Sequence, residues 1–199
     1  MSAGSSTVAG LILAAGESRR MGFPKALLMY RSETFLDTLC GLFAARCTPV
    51  IVVLGANAEQ IRARASHPAT FVWNENYLTG QTSSLQCGLR AVPPDAQGVL
   101  FTLVDHPAVR RETIASLIDR PSSPQTLLRV PRYQERRGHP IWLSRELIPE
   151  FLSLPHDGAA RDVVRRHVTE TDFVDVDDPG ILADIDDPES YRKLTGASL

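Results

Sequence analysis

The sequence lacks most of what would mark a specialised class of protein. No apolar run approaches the ~20 residues that a membrane-spanning helix needs. The opening "MSAGSST" has neither the basic nor the apolar part of a secretory signal peptide, so a cytoplasmic protein is expected. Neither sign of charge is in excess: 21 basic residues face 23 acidic ones. This excludes a general nucleic-acid or membrane binder and confines any anion site to a local cluster. The three cysteines, Cys40, Cys47 and Cys87, form no CxxC pair, which argues against a zinc knuckle or redox dithiol and leaves small core residues in a reducing compartment. No internal repeat or long linker divides the chain. With 199 residues it is long enough for one sizeable core and short for two. A flexible stretch over residues 1–7 and a single domain over 8–199 are expected.

What is present is alternation. "TVAGLILA" (7–14), "PVIVVLG" (49–55), "ATFVW" (69–73) and "GVLFTLV" (98–104) are nearly continuous apolar runs, as in parallel strands covered on both faces. Helical segments separate them. Thr34 can cap one carrying Phe35, Leu36, Leu39, Leu42 and Phe43. Asn57 precedes "AEQIRARAS", "TSSLQCGLRAV" spans 82–92, and "RRETIASLI" spans 110–118. Strand and helix in alternation predict an α/β fold, Rossmann-like, with a mostly parallel central sheet in a three-layer α/β/α sandwich. In the last third, "TLLRVP" and "HPIWLS" can pair around "RYQERRG". Helical pieces near 145–153 and 157–167, the strand "DFVDVD" and a helix from Pro188 follow.

In such a sheet, ligands sit beyond the carboxyl ends of the strands. The first of these positions is occupied by "LAAGESRRMGFPK" (13–25). It is not G-x-G-x-x-G, and it is not a Walker loop, because no glycine directly precedes Lys25 and no hydroxyl residue follows it. Pro24 opposes a helix that begins smoothly at the lysine. The composition fits a long loop around an anion. Gly16 and Gly22 let backbone N–H groups approach, Arg20 and Lys25 supply charge, and Ala14 and Ala15 leave room for a flat group. A solvated basic surface loop is the alternative.

Other stretches carry chemistry in a similar way. Asp105 in "LVDHP" ends the fourth strand, where a carboxylate suits a hard cation such as Mg²⁺ or caps the next helix. In "ADIDDPESY", Asp184 and Asp186 point the same way if extended, and Asp187 before Pro188 can open the last helix. Gly80 permits a close approach, and Ser83 and Ser84 stand near a helix start. His139 reads on its own as a strand-end histidine.

These motifs resemble a known family. "LAAGESRRMGFPK" is similar to the L-A-A/G-G-x-x-x-R-M-G-x-x-K signature of the sugar-nucleotide-type nucleotidyltransferases. Within that superfamily the chain most resembles the molybdenum cofactor cytidylyltransferases, over about residues 8 to 194. The resemblance implies a nucleotide-binding part over about 8–108 and an acceptor-side part over about 109–199. It implies that Leu13, Ala14, Ala15, Gly16, Arg20, Lys25, Asn74, Gly80 and Ser84 bind the nucleotide, with Arg20, Lys25 and Asp105 catalytic. It makes Asp105 and Asp186 the ligands of Mg²⁺, matching D-Q-P, with His106 for the glutamine, and D-x-D-T-P-E, with Asp187 for the threonine. Gly138-His139-Pro140 matches a G-H-P motif. Asp157 and Arg161 match G-D-x-G-A-R, with His156 and Ala159 replacing glycines. On this basis His106, Gly138, His139, Asp157 and Arg161 lie on the acceptor side. "LAAG" resembles the cytidylyl branch, as L-A-G-G resembles the guanylyl one. The implied reaction is CMP transfer from CTP to the phosphate of a molybdopterin-type cofactor, with pyrophosphate released and a molybdoenzyme or its chaperone receiving the product. GTP, a sugar or polyol phosphate as acceptor, and a non-catalytic cofactor-binding role remain open.

Overall fold

The computed structural model describes residues 7–121, 123, 125–155 and 158–197. The expected N-terminal tail, apart from Thr7, and the motif residues His156 and Asp157 lie outside them. The strands are β1 (Val8–Ala14), β2 (Met29–Tyr30), β3 (Glu33–Thr34), β4 (Val50–Leu54), β5 (Thr70–Trp73), β6 (Gly98–Leu103), β7 (Leu128–Tyr133), β8 (Arg136–Arg137), β9 (Ile141–Ser144) and β10 (Thr171–Asp175). The α-helices are α1 (Phe35–Ala44), α2 (Ala58–Arg64), α3 (Gln81–Arg90), α4 (Arg111–Ile118), α5 (Ile148–Leu152), α6 (Ala160–Arg166) and α7 (Pro188–Thr195). Among the described residues, the main sheet runs β10-β7-β9-β6-β1-β4-β5, with β8 paired to β7.

The apolar runs form the strands expected of them, and β1 lies between β4 and β6, parallel to both. Alternate residues of β1 face opposite layers, as the period of a strand requires. Val8, Ile12 and Ala14 pack with Phe35, Leu39, Ile61, Ile114 and Tyr191 from α1, α2, α4 and α7. Ala9, Leu11 and Leu13 pack with Leu85, Leu89, Phe151 and Val163 from α3, α5 and α6. These two cores are the two interfaces of a three-layer α/β/α sandwich. The run at 69–73 differs from expectation. Among the described residues β5 is the edge strand, pairs only with β4, and leaves Trp73 exposed. β9 runs antiparallel between β6 and β7, so the anticipated pairing of "TLLRVP" with "HPIWLS" completes the sheet.

Thr34 caps α1 by accepting from the Asp37 amide at 3.0 Å. Asn57 precedes α2 in a left-handed conformation (φ 55°), without a side-chain capping bond. Cys40 and Cys47 are buried core residues, and burial pushes both thiols up to about 12.

One device positions the future site: the return of the C-terminal segment across the sheet. After β10, a short 3₁₀ turn (Pro179–Leu182) lies against Ala108 and Gly138. A Cβ on Gly138 would collide with the Ile181 carbonyl, and one on Gly180 would collide with that of Ala108. Glycine is therefore required at both places by close backbone approach. The turn is fixed by Asp178, 2% exposed, whose carboxylate accepts from the Gly180 amide, the Arg110 amide and the Thr113 hydroxyl at 2.7–2.8 Å. Asp178→Ala leaves these donors without an acceptor and is expected to lower unfolding stability by about 2–4 kcal/mol. Urea denaturation of the variant measures this; a loss below ~1 kcal/mol contradicts the anchoring role.

Candidate active site

The carboxyl ends of β1 and β6 lie side by side, and the loop after β1 folds back over them. Ser18 organises that loop. It takes a left-handed backbone (φ 53°), unusual for a residue with a side chain. Its carbonyl accepts from the Met21 and Gly22 amides, and its hydroxyl accepts from the Lys25 amide at 3.0 Å. Pro24 leads into a 3₁₀ turn that begins at Lys25 (Lys25–Leu27), so the lysine does not open an α-helix. Ala26 and Leu27 are buried beneath it. The Lys25 side chain thereby turns inward towards the sheet.

There it meets the carboxylates. Asp105 lies just beyond β6, where the Val104 amide still bonds to the Leu13 carbonyl. The Ile185 amide donates to the Asp105 carbonyl at 3.0 Å, drawing the C-terminal segment onto the same strand end. Lys25 Nζ donates to Asp105 Oδ2 at 3.1 Å and also to Asp186 Oδ1. Arg20 pairs with the other oxygen of Asp186. The side chains of Lys25 and Asp105 are only 12% and 14% exposed, so this pair is largely withdrawn from water, while Asp186 and Arg20 stand nearer the solvent.

Burial works against the Lys25 charge, but Asp105 and Asp186 outweigh it and hold the lysine pKa above its ordinary value. Burial likewise opposes ionisation of Asp105, yet His106 and Lys25 pull that carboxyl down to about 2. The hydrogen bond from Lys25, aided by Arg20, lowers Asp186. Asp184 behaves oppositely: burial and the negative charge of Asp105 and Asp186 raise it. One oxygen from each of Asp105, Asp184 and Asp186 lies within 4.8 Å of the others. Three hard oxygen donors at that spacing fit a small divalent cation. Asp184 thus joins the cluster beside the expected pair. Asp187 caps α7 in a reciprocal capping box with Ser190, opening the last helix as its place before Pro188 suggests.

A cleft of about 320 Å³ opens over the cluster, lined by Leu13, Ala14, Ala15, Gly16, Arg20, Lys25, Gly80, Ser84, Asp105 and Asp186. Tyr77 and Gln81 also line it, and neither stood out in the sequence. Asn74 is placed differently from the other nucleotide-side residues. It is buried behind the wall and donates to Ser83 and Ser84 hydroxyls at 2.9 and 3.0 Å. A second cavity, about 330 Å³, adjoins the first and shares Gln81 and Leu103 with it. Its walls include Leu85, Phe101, Val130 and Leu143, and Arg137, Arg161 and Arg165 also line it. Gly138 and His139 lie here too, and burial beside His106 pushes the His139 pKa down to about 4. His106 lines neither cavity; it is buried against Asp105. Buried Gln86 ties α3 to the end of α5 by donating to the carbonyls of Phe151 and Leu154. Among the described residues no helix is long and apolar enough to cross a membrane.

A mostly parallel α/β sheet takes its ligands beyond the carboxyl ends of its strands, and that is where the cations and carboxylates gather here. The chain belongs to the family of the MobA-like NTP transferase domain, whose model matches residues 10–171. It is a nucleotidyltransferase-type protein related to the molybdenum cofactor cytidylyl- and guanylyltransferases. It is 34% identical over 197 residues to nicotine blue oxidoreductase of Paenarthrobacter nicotinovorans, covering 94% of this chain and 96% of that one. It is 24% identical over 183 residues to the molybdenum cofactor cytidylyltransferase of Escherichia coli K12, covering 91% and 92%. The crystal structure of Rv0371c from Mycobacterium tuberculosis H37Rv superposes with a TM-score of 0.82 at 33% identity, over 97% of this chain and 100% of that one. The same protein is also known in complex with manganese (TM-score 0.72, 30% identity, 96% and 99% covered).

The raised pKa of Asp184 has a measurable consequence. A carboxyl raised by folding takes stability away as the pH rises through its folded value, and that cost vanishes once the group is protonated. In EDTA, Asp184→Asn is therefore expected to melt higher than wild type at pH 7, with the gain shrinking towards pH 3. The same variant is expected to bind Mn²⁺ more weakly. Thermal melts at the two pH values and a Mn²⁺ titration test this; an unchanged melting temperature at pH 7 refutes the repulsion.

Proposed function

We propose that this protein transfers CMP from CTP to the phosphate of a molybdopterin-type molybdenum cofactor, releasing pyrophosphate. The observation that carries the reading is the junction of two unlike cavities. One is lined by the ion cluster and the loop after β1, the other is largely apolar with arginines, and they meet at Gln81 and Leu103. The first suits a triphosphate, the second a flat acceptor. The name of the Escherichia coli relative and the cytidylyl-like "LAAG" support CTP and a molybdenum cofactor.

Attack of one phosphate on another must overcome repulsion. Two unit charges ~4 Å apart interact by about 4 kcal/mol at an effective dielectric near 20, and several such pairs act at once. Arg20 and Lys25 supply positive charge to the triphosphate, Lys25 from a withdrawn position where it acts with little screening. Backbone N–H groups around Gly16 add donors, and Gly80 and Ser84 form the wall for the ribose and base. Asp105 and Asp186, with Asp184 beside them, would hold Mg²⁺, which neutralises phosphate charge when bound. The manganese complex of Rv0371c supports a divalent cation. A phosphate nucleophile is already ionised, so no side chain has to remove its proton. His139, neutral at pH 7, and Arg161 would face the acceptor.

The relative named nicotine blue oxidoreductase motivates a second reading, in which the paired cavities bring a redox substrate together with a separate hydride donor or acceptor. Calorimetric titration with CTP and GTP, each in Mg²⁺ and in EDTA, followed by pyrophosphate release with molybdopterin, separates these. Mg²⁺-dependent binding of CTP over GTP, with turnover, is expected. Reduction of nicotine blue by an added nicotinamide hydride donor, without pyrophosphate release, would replace the proposal. Asp105→Ala is expected to lower turnover at least ~10²-fold while some CTP binding survives. Lys25→Ala is expected to weaken both triphosphate binding and rate. Near-normal turnover of the Asp105 variant would overturn the metal assignment.

A further inference from the structure

We infer that His106 is the positioning residue of the carboxylate cluster: its imidazole fixes Asp105 so that the other oxygen of that carboxylate faces the cation site. The inference rests on the proposed divalent-cation site and extends it to a residue outside the cleft. The two oxygens of Asp105 are used differently. Oδ1 lies 2.8 Å from His106 Nδ1, whereas Oδ2 faces the cleft and takes the Lys25 ammonium at 3.1 Å. A carboxylate only accepts, so His106 Nδ1 carries the proton in this contact.

The imidazole is itself held. His106 is 6% exposed, and its ring meets the His139 ring edge-on, with centroids 4.9 Å apart. The His139 ring packs edge-on against Phe101 of β6 at 5.3 Å. A three-ring stack thus runs from the strand that delivers Asp105 back to Asp105 itself. A carboxylate held through one oxygen alone, as Lys25 holds Oδ2, can still turn about its Cα–Cβ and Cβ–Cγ bonds. The imidazole donor removes that freedom and divides the two oxygens between an inner partner and the site. Partners of this kind, in contact with a ligand but not with the metal, typically alter metal affinity by about 10–100-fold. His139 also lines the apolar cavity, so the ring stack forms part of the partition between it and the cluster.

Mn²⁺ binding to the whole protein, followed by electron paramagnetic resonance without nucleotide or acceptor, tests this apart from activity. His106→Leu fills the space but cannot donate; His106→Asn places an amide N–H near the position of Nδ1. The leucine variant is expected to bind Mn²⁺ about 10–100-fold more weakly, and the asparagine variant to keep affinity near wild type. Wild-type affinity in the leucine variant overturns the inference, as does an asparagine variant that falls equally far, which would make the effect one of packing. Failure of the wild type to bind Mn²⁺ overturns the metal reading itself and this inference with it. Should the leucine variant not fold, nitrogen-15 spectra of histidine-labelled wild type decide. A ring protonated on Nδ1 that shifts when Mg²⁺ is added supports the assignment, and protonation on Nε2 alone overturns it.

Discussion

The ammonium of Lys25 between Asp105 and Asp186 is the interaction on which the arrangement of the site depends. Three carboxylates brought within a few ångströms repel, and without a cation they would protonate or move apart. The lysine is itself a withdrawn charge, tolerable only because it is paired. Each partner therefore makes the other possible. The fold supplies the meeting point. β1 and β6 are parallel neighbours, so their carboxyl ends project together, one carrying the loop with Lys25 and the other carrying Asp105. The third contribution arrives from far along the chain, clamped by Asp178 and admitted by the glycines at 138 and 180.

That dependence explains what was legible in the sequence. β1, β4 and β6 declared themselves because burial on both faces demands unbroken apolar runs. β2 and β3 are two residues each and leave no periodic trace. The run at 69–73 read as a covered strand because a local pattern cannot report whether a further strand pairs beyond it; among the described residues the sheet ends there. Within the loop after β1, the cations and glycines were visible, whereas Ser18 was not. Its role lies in a left-handed backbone and a hydroxyl aimed at the Lys25 amide, and nothing in its spacing reports either. Asn74 was named only through the family resemblance, and its burial behind Ser83 and Ser84 appears only once α3 is packed. The meeting of Asp184 and Asp186 with Asp105 is a tertiary fact, set by the bond from the Ile185 amide to the Asp105 carbonyl.

The cluster also sets a tension between stability and use. Asp105 and Asp186 are lowered and stabilise the folded state above their ordinary range, while Asp184 is raised and opposes it. A site built only for stability would keep the paired carboxylates and dispense with the third. Its presence is intelligible as provision for charge that arrives with a ligand. Such local conflict with the rest of the structure is where function is normally found.

The division of labour between the two cavities bears on how related proteins come to carry different names. On the proposed function, the cations and carboxylates would address phosphate, which all nucleoside triphosphates share, and they gather beyond the ends of β1 and β6. Choice of base would, on the same proposal, fall to the wall formed by Tyr77, Gly80 and Ser84, and choice of acceptor to a separate, more apolar cavity lined partly by the short helices α5 and α6. The acceptor-side cavity can change without disturbing the ion cluster, because among the described residues the two cavities share Gln81 and Leu103 and none of the cluster's own side chains. Proteins of one fold can thus diverge in substrate while keeping the same strand-end chemistry. The part of the molecule that decides the reaction's class is then distinct from the part that decides its substrates, and resemblance in the first says little about the second.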